Sequence, residues 1–269
     1  VSSAIVQEQK STIVQIEDTL TKALPKLRQL MPSQVLDKPD MFVRSVMMAM
    51  RQTPALAECS PQSIIIAVAQ ACSMGLPPNT PLGLSYLVPF KGQCQLIPGY
   101  KGLIRLAIQS GEVRSIDTRV VYKDDAFELA YGLEEKLVHV PKLDAEQKDE
   151  NIIGAYAIAK LTNGEKKFEF MSRAQIDAIR ARSQSAKGSS SPWHTDFAEM
   201  CRKTVSKRIC KTIPLSEENL RHQNLGKAVY IQERDEIGAD PLSAEMAEVF
   251  GDTDSKKEPK SLAEKAGAN

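Results

Sequence analysis

Lys203, Lys207 and Lys211 recur every four residues, with Arg202 and Arg208 beside them and few acids between. On a helix that spacing lines charge along one side. Helices often carry charge outward for solvation alone, but a nearly one-signed row repels itself, and a polyanion relieves that repulsion as it sheds counterions. Binding of phosphates is the chemistry these residues suit. Arg173, Arg180 and Arg182 form a second basic set upstream, and Lys187 stands in the Ser/Gly/Pro-rich stretch SQSAKGSSSP that joins the two. Trp193 ends that stretch; a tryptophan there more commonly anchors a core than stacks on a base, and it is grouped with the polyanion-binding candidates for its place beside the basic stripe. A third set lies in CQLIPGYKGLIRLA, where Tyr100 and Lys101 follow Pro98-Gly99 and Arg105 comes one turn later. An aromatic ring at a glycine-flanked corner can stack on a base while the adjacent lysine meets phosphate.

Catalytic chemistry has no comparable pattern. The sequence contains no G-x-x-x-x-G-K-[ST] phosphate loop, no G-x-G-x-x-G, no G-x-S-x-G and no H-E-x-x-H. His139, His194 and His222 are far apart, and acid–base work needs a positioned partner. Asp124-Asp125 and Glu134-Glu135 are adjacent pairs, which on a strand point to opposite faces. A metal-dependent nuclease would have only Asp117, Asp124, Asp125 and Glu128 to draw on. The expectation is a protein that is not an enzyme and uses no cofactor or metal.

The elements that must hold these residues are legible from period and punctuation. Residues 1–35 read as an N-terminal arm, partly helical through Ile13, Ile16, Leu20 and Leu24, with Pro25 bending or ending the helix. Ser60-Pro61 opens a core helix that Gly75 closes. From Gly83 the period changes to two, and Lys91-Gly92 marks the turn of a hairpin. Tyr100 to Ser110 then reads as a helix closed by Gly111, with Lys101, Arg105 and Gln109 along its polar side. Alternation at 116–122, 127–131, 137–140, 153–161 and 167–171 predicts a central antiparallel sheet, with Asn163-Gly164 turning the last pair. Ser172 with Gln175 predicts a capping box. A single helix is expected from Trp193 to about Lys211. The fold class expected is therefore α+β, with a core over 36–232 and, over 233–269, a net-acidic tail without apolar periodicity that reads as disordered.

The 35 Lys and Arg against 34 Asp and Glu give a net charge of +1, so the neutral total conceals a basic middle and an acidic end. Five scattered cysteines show no C-x-x-C and no Cys/His cluster, which fits a reducing cytoplasm better than a disulfide framework. No stretch approaches the ~18 apolar residues of a membrane span, and no secretion signal is apparent at the N-terminus.

Several runs, in order, resemble the RecT family of phage and prophage single-strand annealing proteins: TPALAECSPQSIIIAVAQACSMGLPP, LGLSYLVPF, QLIPGYKGLIRLAIQSGEV, GLEEKLVHVP, FEFMSRAQIDAIRARSQSAKGSSSPW and EMCRKTVSKRICKTIPLS. The similarity spans roughly residues 40–232. It implies a sheet with packed helices, distantly similar to the Rad52 annealing core, in a protein that binds single-stranded DNA and the nascent duplex and anneals strands without ATP. It also implies a homo-oligomer, in rings or helical filaments, and a phage exonuclease that leaves 3′ overhangs as partner. On charge placement and resemblance together, Lys203, Lys207, Arg208 and Lys211 would contact phosphate, Arg173, Arg180, Arg182 and Lys187 would extend the groove, and Tyr100, Lys101 and Arg105 would join from the corner. The acidic tail would recruit the exonuclease or a host single-strand binding protein, or keep the assembly soluble. An adaptor whose basic helix meets an acidic protein is the alternative, and the nuclease a third.

Overall fold

The computed structural model describes residues 2–236 apart from 34, 37, 190 and 217. The acidic tail expected from residue 233 therefore lies, from 237 on, outside the described residues. The α+β class holds, and the strands divide among three antiparallel sheets instead of joining one. β1 (Ser85–Phe90) and β2 (Gln93–Pro98) form a hairpin; β3 (Val113–Tyr122), β6 (Ile152–Leu161) and β7 (Lys166–Ser172) form a sheet in the order β3-β6-β7; β4 (Ala126–Ala130) and β5 (Lys136–Val140) form a second hairpin. Alternation reveals strands but not partners: β3 skips two strands in sequence to pair with β6, Arg119 opposite Tyr156.

The helical side is built from α1 (Ser2–Leu30), α2 (Pro39–Gln52) and α3 (Pro61–Met74). α1 does not end at Pro25 but runs on to Leu30, and Ile16, Leu20 and Leu27 are buried where it packs on α2 and α3. Tertiary burial there outweighs the hydrogen bond that a mid-helix proline removes. α3 starts as expected, with the Ser60 hydroxyl accepting the Ser63 N–H and Pro61 in the first turn, and ends at a left-handed Gly75. Ser63 also ties in the first hairpin by accepting the Cys94 N–H at 2.8 Å. That hairpin turns through Lys91 and Gly92, both at positive φ, 48° and 75°, the conformation a two-residue turn needs to match strand twist.

α4 (Tyr100–Ser110) follows directly. A Cβ on Gly99 would lie 2.3 Å from the Gly83 carbonyl oxygen, and one on Gly102 would lie 2.1 Å from that of Leu84, so the corner is closed by backbone packed against backbone. α5 (Arg173–Arg182) carries the full Ser172–Gln175 capping box. The helix expected from Trp193 to Lys211 is two: α6 (Pro192–Thr195) and α7 (Phe197–Cys210), broken at Asp196, whose φ of −143° and ψ of 51° are not helical. α7 lies across β3, β6 and β7, over the buried file Ala155, Ala157 and Ala159, whose small side chains let it approach. α8 (Leu220–Glu236) was not apparent in the sequence; it packs on α4 and β2 and buries Leu225, Ala228 and Ile231. No described helix is long and apolar enough to cross a membrane.

Candidate nucleic-acid interface

α7 buries Phe197, Met200, Cys201, Thr204, Val205 and Ile209, the apolar side the sequence predicts. Its cations are less bare than their neighbours in sequence imply. The Arg208 guanidinium lies 3.5 Å from the Glu169 carboxylate on β7, and the Lys211 ammonium 3.4 Å from that of Glu233 on α8. Lys203 and Lys207 are also engaged, and Lys203, Lys207 and Lys211 are all half-buried. The diluting acids arrive from other elements through folding, which a one-dimensional reading does not see. In each pair one partner, Arg208 or Glu233, has about half its side-chain surface in water, while Glu169 and Lys211 keep about a quarter, so each pair is partly screened by solvent.

The α5 set meets the start of α7 on one ring. Arg173 lies 4.2 Å and Arg180 5.6 Å from the Phe197 centroid, a guanidinium-over-ring geometry that fixes both head groups. Arg173 further donates to Asp177 at 2.8 Å and to the Asp149 carbonyl at 2.7 Å. Arg180 is 2.7 Å from His194 Nδ1, and His194 Nε2 is 3.0 Å from the Ala186 carbonyl. A guanidinium only donates, so Nδ1 accepts from Arg180 and Nε2–H donates to the carbonyl. Arg180 and Lys187 line the same open concavity of about 320 Å³, with Asp177 and Ser183 on its wall. Arg182 and Lys187 are exposed.

Trp193 needs correction. Its ring is 3% exposed and packs 6.1 Å from Phe197, so it presents no face to a base; the indole completes the core beneath the two arginines. At the third set, Lys101 is exposed while Tyr100 and Arg105 are half-buried. α4 packs against α7, so α7 is the element that both other basic sets adjoin. Sequence reading undervalued His194 and Phe197; a histidine three residues ahead of an aromatic, just past a basic loop, is a signal only once Arg173 and Arg180 are known to fold over it.

Of the four acids of the nuclease reading, Asp117, Asp125 and Glu128 have partners, and Asp124 is exposed. Asp125 accepts the Tyr122 N–H at 2.8 Å and the Lys142 N–H at 2.9 Å, and lies 3.0 Å from His139 Nε2; His139 Nδ1 is in turn 3.1 Å from the Tyr156 hydroxyl. Burial alone would raise the Asp125 carboxyl, but the two N–H donors and His139 outweigh it and hold it below the usual carboxylate range. Asp117 faces Lys160 and Glu128 faces Lys136. Among the described residues no three acidic, histidine or cysteine side chains gather to hold a metal. All five cysteines are buried, and burial pushes the thiols of Cys72, Cys94, Cys201 and Cys210 up to about 12, far from the thiolate that nucleophilic work requires.

The sequence profile of the RecT family matches residues 40–240. Protein RecT of Escherichia coli (strain K12) is 36% identical over 213 residues, which cover 76% of this chain and 75% of that protein. An uncharacterized protein, YqaK, of Bacillus subtilis (strain 168) is 26% identical over 214 residues, covering 78% and 72%.

Proposed function

The chain belongs to the RecT family, and from that premise we propose that it binds single-stranded DNA and anneals complementary strands without ATP, on a scaffold of repeated copies, in homologous recombination of phage type. The observation that carries the reading is the convergence of Arg173 and Arg180 on Phe197 at the head of the lysine-bearing α7. Phosphates would be held by Lys203, Lys207, Arg208 and Lys211, with Arg173, Arg180, Arg182 and Lys187 extending the track and Tyr100, Lys101 and Arg105 joining from α4. Backbone contacts of this kind carry no sequence information, so base edges stay free and complementarity is tested by pairing. Incoming phosphates would exchange for Glu169 and Glu233, and a second strand captured by neighbouring copies meets the first at high effective concentration. The absence of a phosphate loop from the sequence accords with a reaction driven by base pairing. The protein would act in the cytoplasm on 3′ overhangs supplied by an exonuclease, with a host single-strand binding protein as a further partner.

The test is annealing of two complementary fluorescent oligonucleotides, without nucleotide, across a salt series. Acceleration confined to complementary strands and falling steeply with salt is expected. Lys203→Glu/Lys207→Glu/Lys211→Glu should lower strand affinity at least tenfold with an unchanged circular dichroism spectrum. A folded triple variant with normal affinity removes α7 from the interface, and binding indifferent to salt turns the reading toward an acidic protein partner.

A further inference from the structure

The tip of the β4–β5 hairpin takes no part in the proposed DNA contact. Between Ala130 and Lys136 it projects Leu133, which is fully exposed, with Tyr131 beside it at 60%. Gly132 has a φ of 128°, a backbone conformation that L side chains rarely adopt, and it places Leu133 outward. Glu134 and Glu135 follow, both exposed, and neither has an ion pair or a side-chain hydrogen bond among the described residues. An apolar side chain is thus held in water beside two unpaired carboxylates. Those carboxylates repel phosphate, so neither DNA nor an anionic lipid surface suits the tip.

The opposite pattern lies elsewhere on the same chain. Arg44, Met48 and Arg51 occupy positions i, i+4 and i+7 of α2, which share one face. Met48 is 57% exposed and both arginines are exposed. Neither arginine has an ion pair or a side-chain hydrogen bond among the described residues, although Asp40 stands one turn before Arg44. The other side of α2, including Phe42, Val46 and Met50, is buried, so the face is displayed on a fixed support.

We infer that the tip of one copy docks on the α2 face of the next, Leu133 against Met48 and the two carboxylates against the two guanidiniums. Tip and face are different surfaces, so every copy keeps one of each to offer, and the contact repeats head to tail into a ring or a helical filament. The inference rests on the oligomeric scaffold proposed above and supplies its interface. A contact this small is weak alone; copies aligned on one strand reinforce it.

The experiment uses two variants, Glu134→Lys/Glu135→Lys and Arg44→Glu/Arg51→Glu, checked for fold by circular dichroism and followed by sedimentation with no DNA, with a short oligonucleotide that holds one copy, and with a long one. Each variant alone should bind the short strand like the parent protein but assemble at least tenfold more weakly, with and without the long strand. A one-to-one mixture should regain assembly, because the reversed tip then faces a reversed helix and the native tip a native helix. A mixture of folded chains that does not regain assembly, a variant that assembles normally, loss of short-strand binding by either variant, or a parent protein that is monomeric under every condition would each overturn the inference. A parent protein whose assembly is broken and restored as described, but which anneals nothing, keeps the interface and removes the annealing reading.

Discussion

The two hairpins are alike in topology and opposite in what holds them. β1–β2 is sunk between α3 and α8, with Leu87, Cys94 and Leu96 buried and Ser63 bonded to its backbone. β4–β5 shows an alternation of half-buried and exposed residues along both strands. It is fastened by the rings of Phe127, Tyr156 and Phe170, stacked 6.2 Å and tilted 5.3 Å from one another, and by the nearly dry Asp125–His139–Tyr156 chain. The first hairpin is part of the core and the second is mounted on it. A two-stranded ribbon is marginal by itself, so one pinned at a few points can keep its base rigid and still present its outer face and tip to something else.

That contrast can be broken in stages. Leu96→Ala, at 1% exposure in β2, should cost about 2–5 kcal/mol in denaturant unfolding through lost burial and a cavity; a loss below 1 kcal/mol would mean the first hairpin is not core. Asp125→Asn should cost less, about 1–3 kcal/mol, because it weakens acceptance from two backbone N–H groups and His139. The depressed Asp125 carboxyl also predicts a pH signature: its stabilisation is present above the unfolded value near ~3.9 and is lost as pH falls through the lower folded value. The parent protein should therefore lose stability over that acid window, and the Asn variant should lack this part of the loss. Val138→Ala on the outward face of β5, 40% exposed, should change stability by less than about 0.5 kcal/mol. A cost as large as that at Leu96 would show that the outer face is packed in solution.

What was legible in the sequence was mostly local. Ser60-Pro61 and Gly75, the Lys91-Gly92 turn and the Ser172–Gln175 box each act within one turn of chain, and each stands as read. Partnerships across distance were not legible. Nothing near Arg208 announces Glu169, and nothing near His139 announces Asp125 and Tyr156 on other elements. α8 escaped notice because its buried side includes His222, Asn224 and Gln232, polar residues that blur an apolar stripe. Trp193 was legible in its ambiguity: residue type favoured the core, its neighbours favoured DNA, and the break at Asp196 with the ring of Phe197 decided for the core.

The five buried thiols have a practical consequence. Maleimide dyes react with thiolate at the surface, and in the folded chain these side chains are neither ionised nor reachable. One cysteine introduced on the outside of β4–β5 would take a fluorophore in an otherwise native background, and the movement of that hairpin could be followed one molecule at a time.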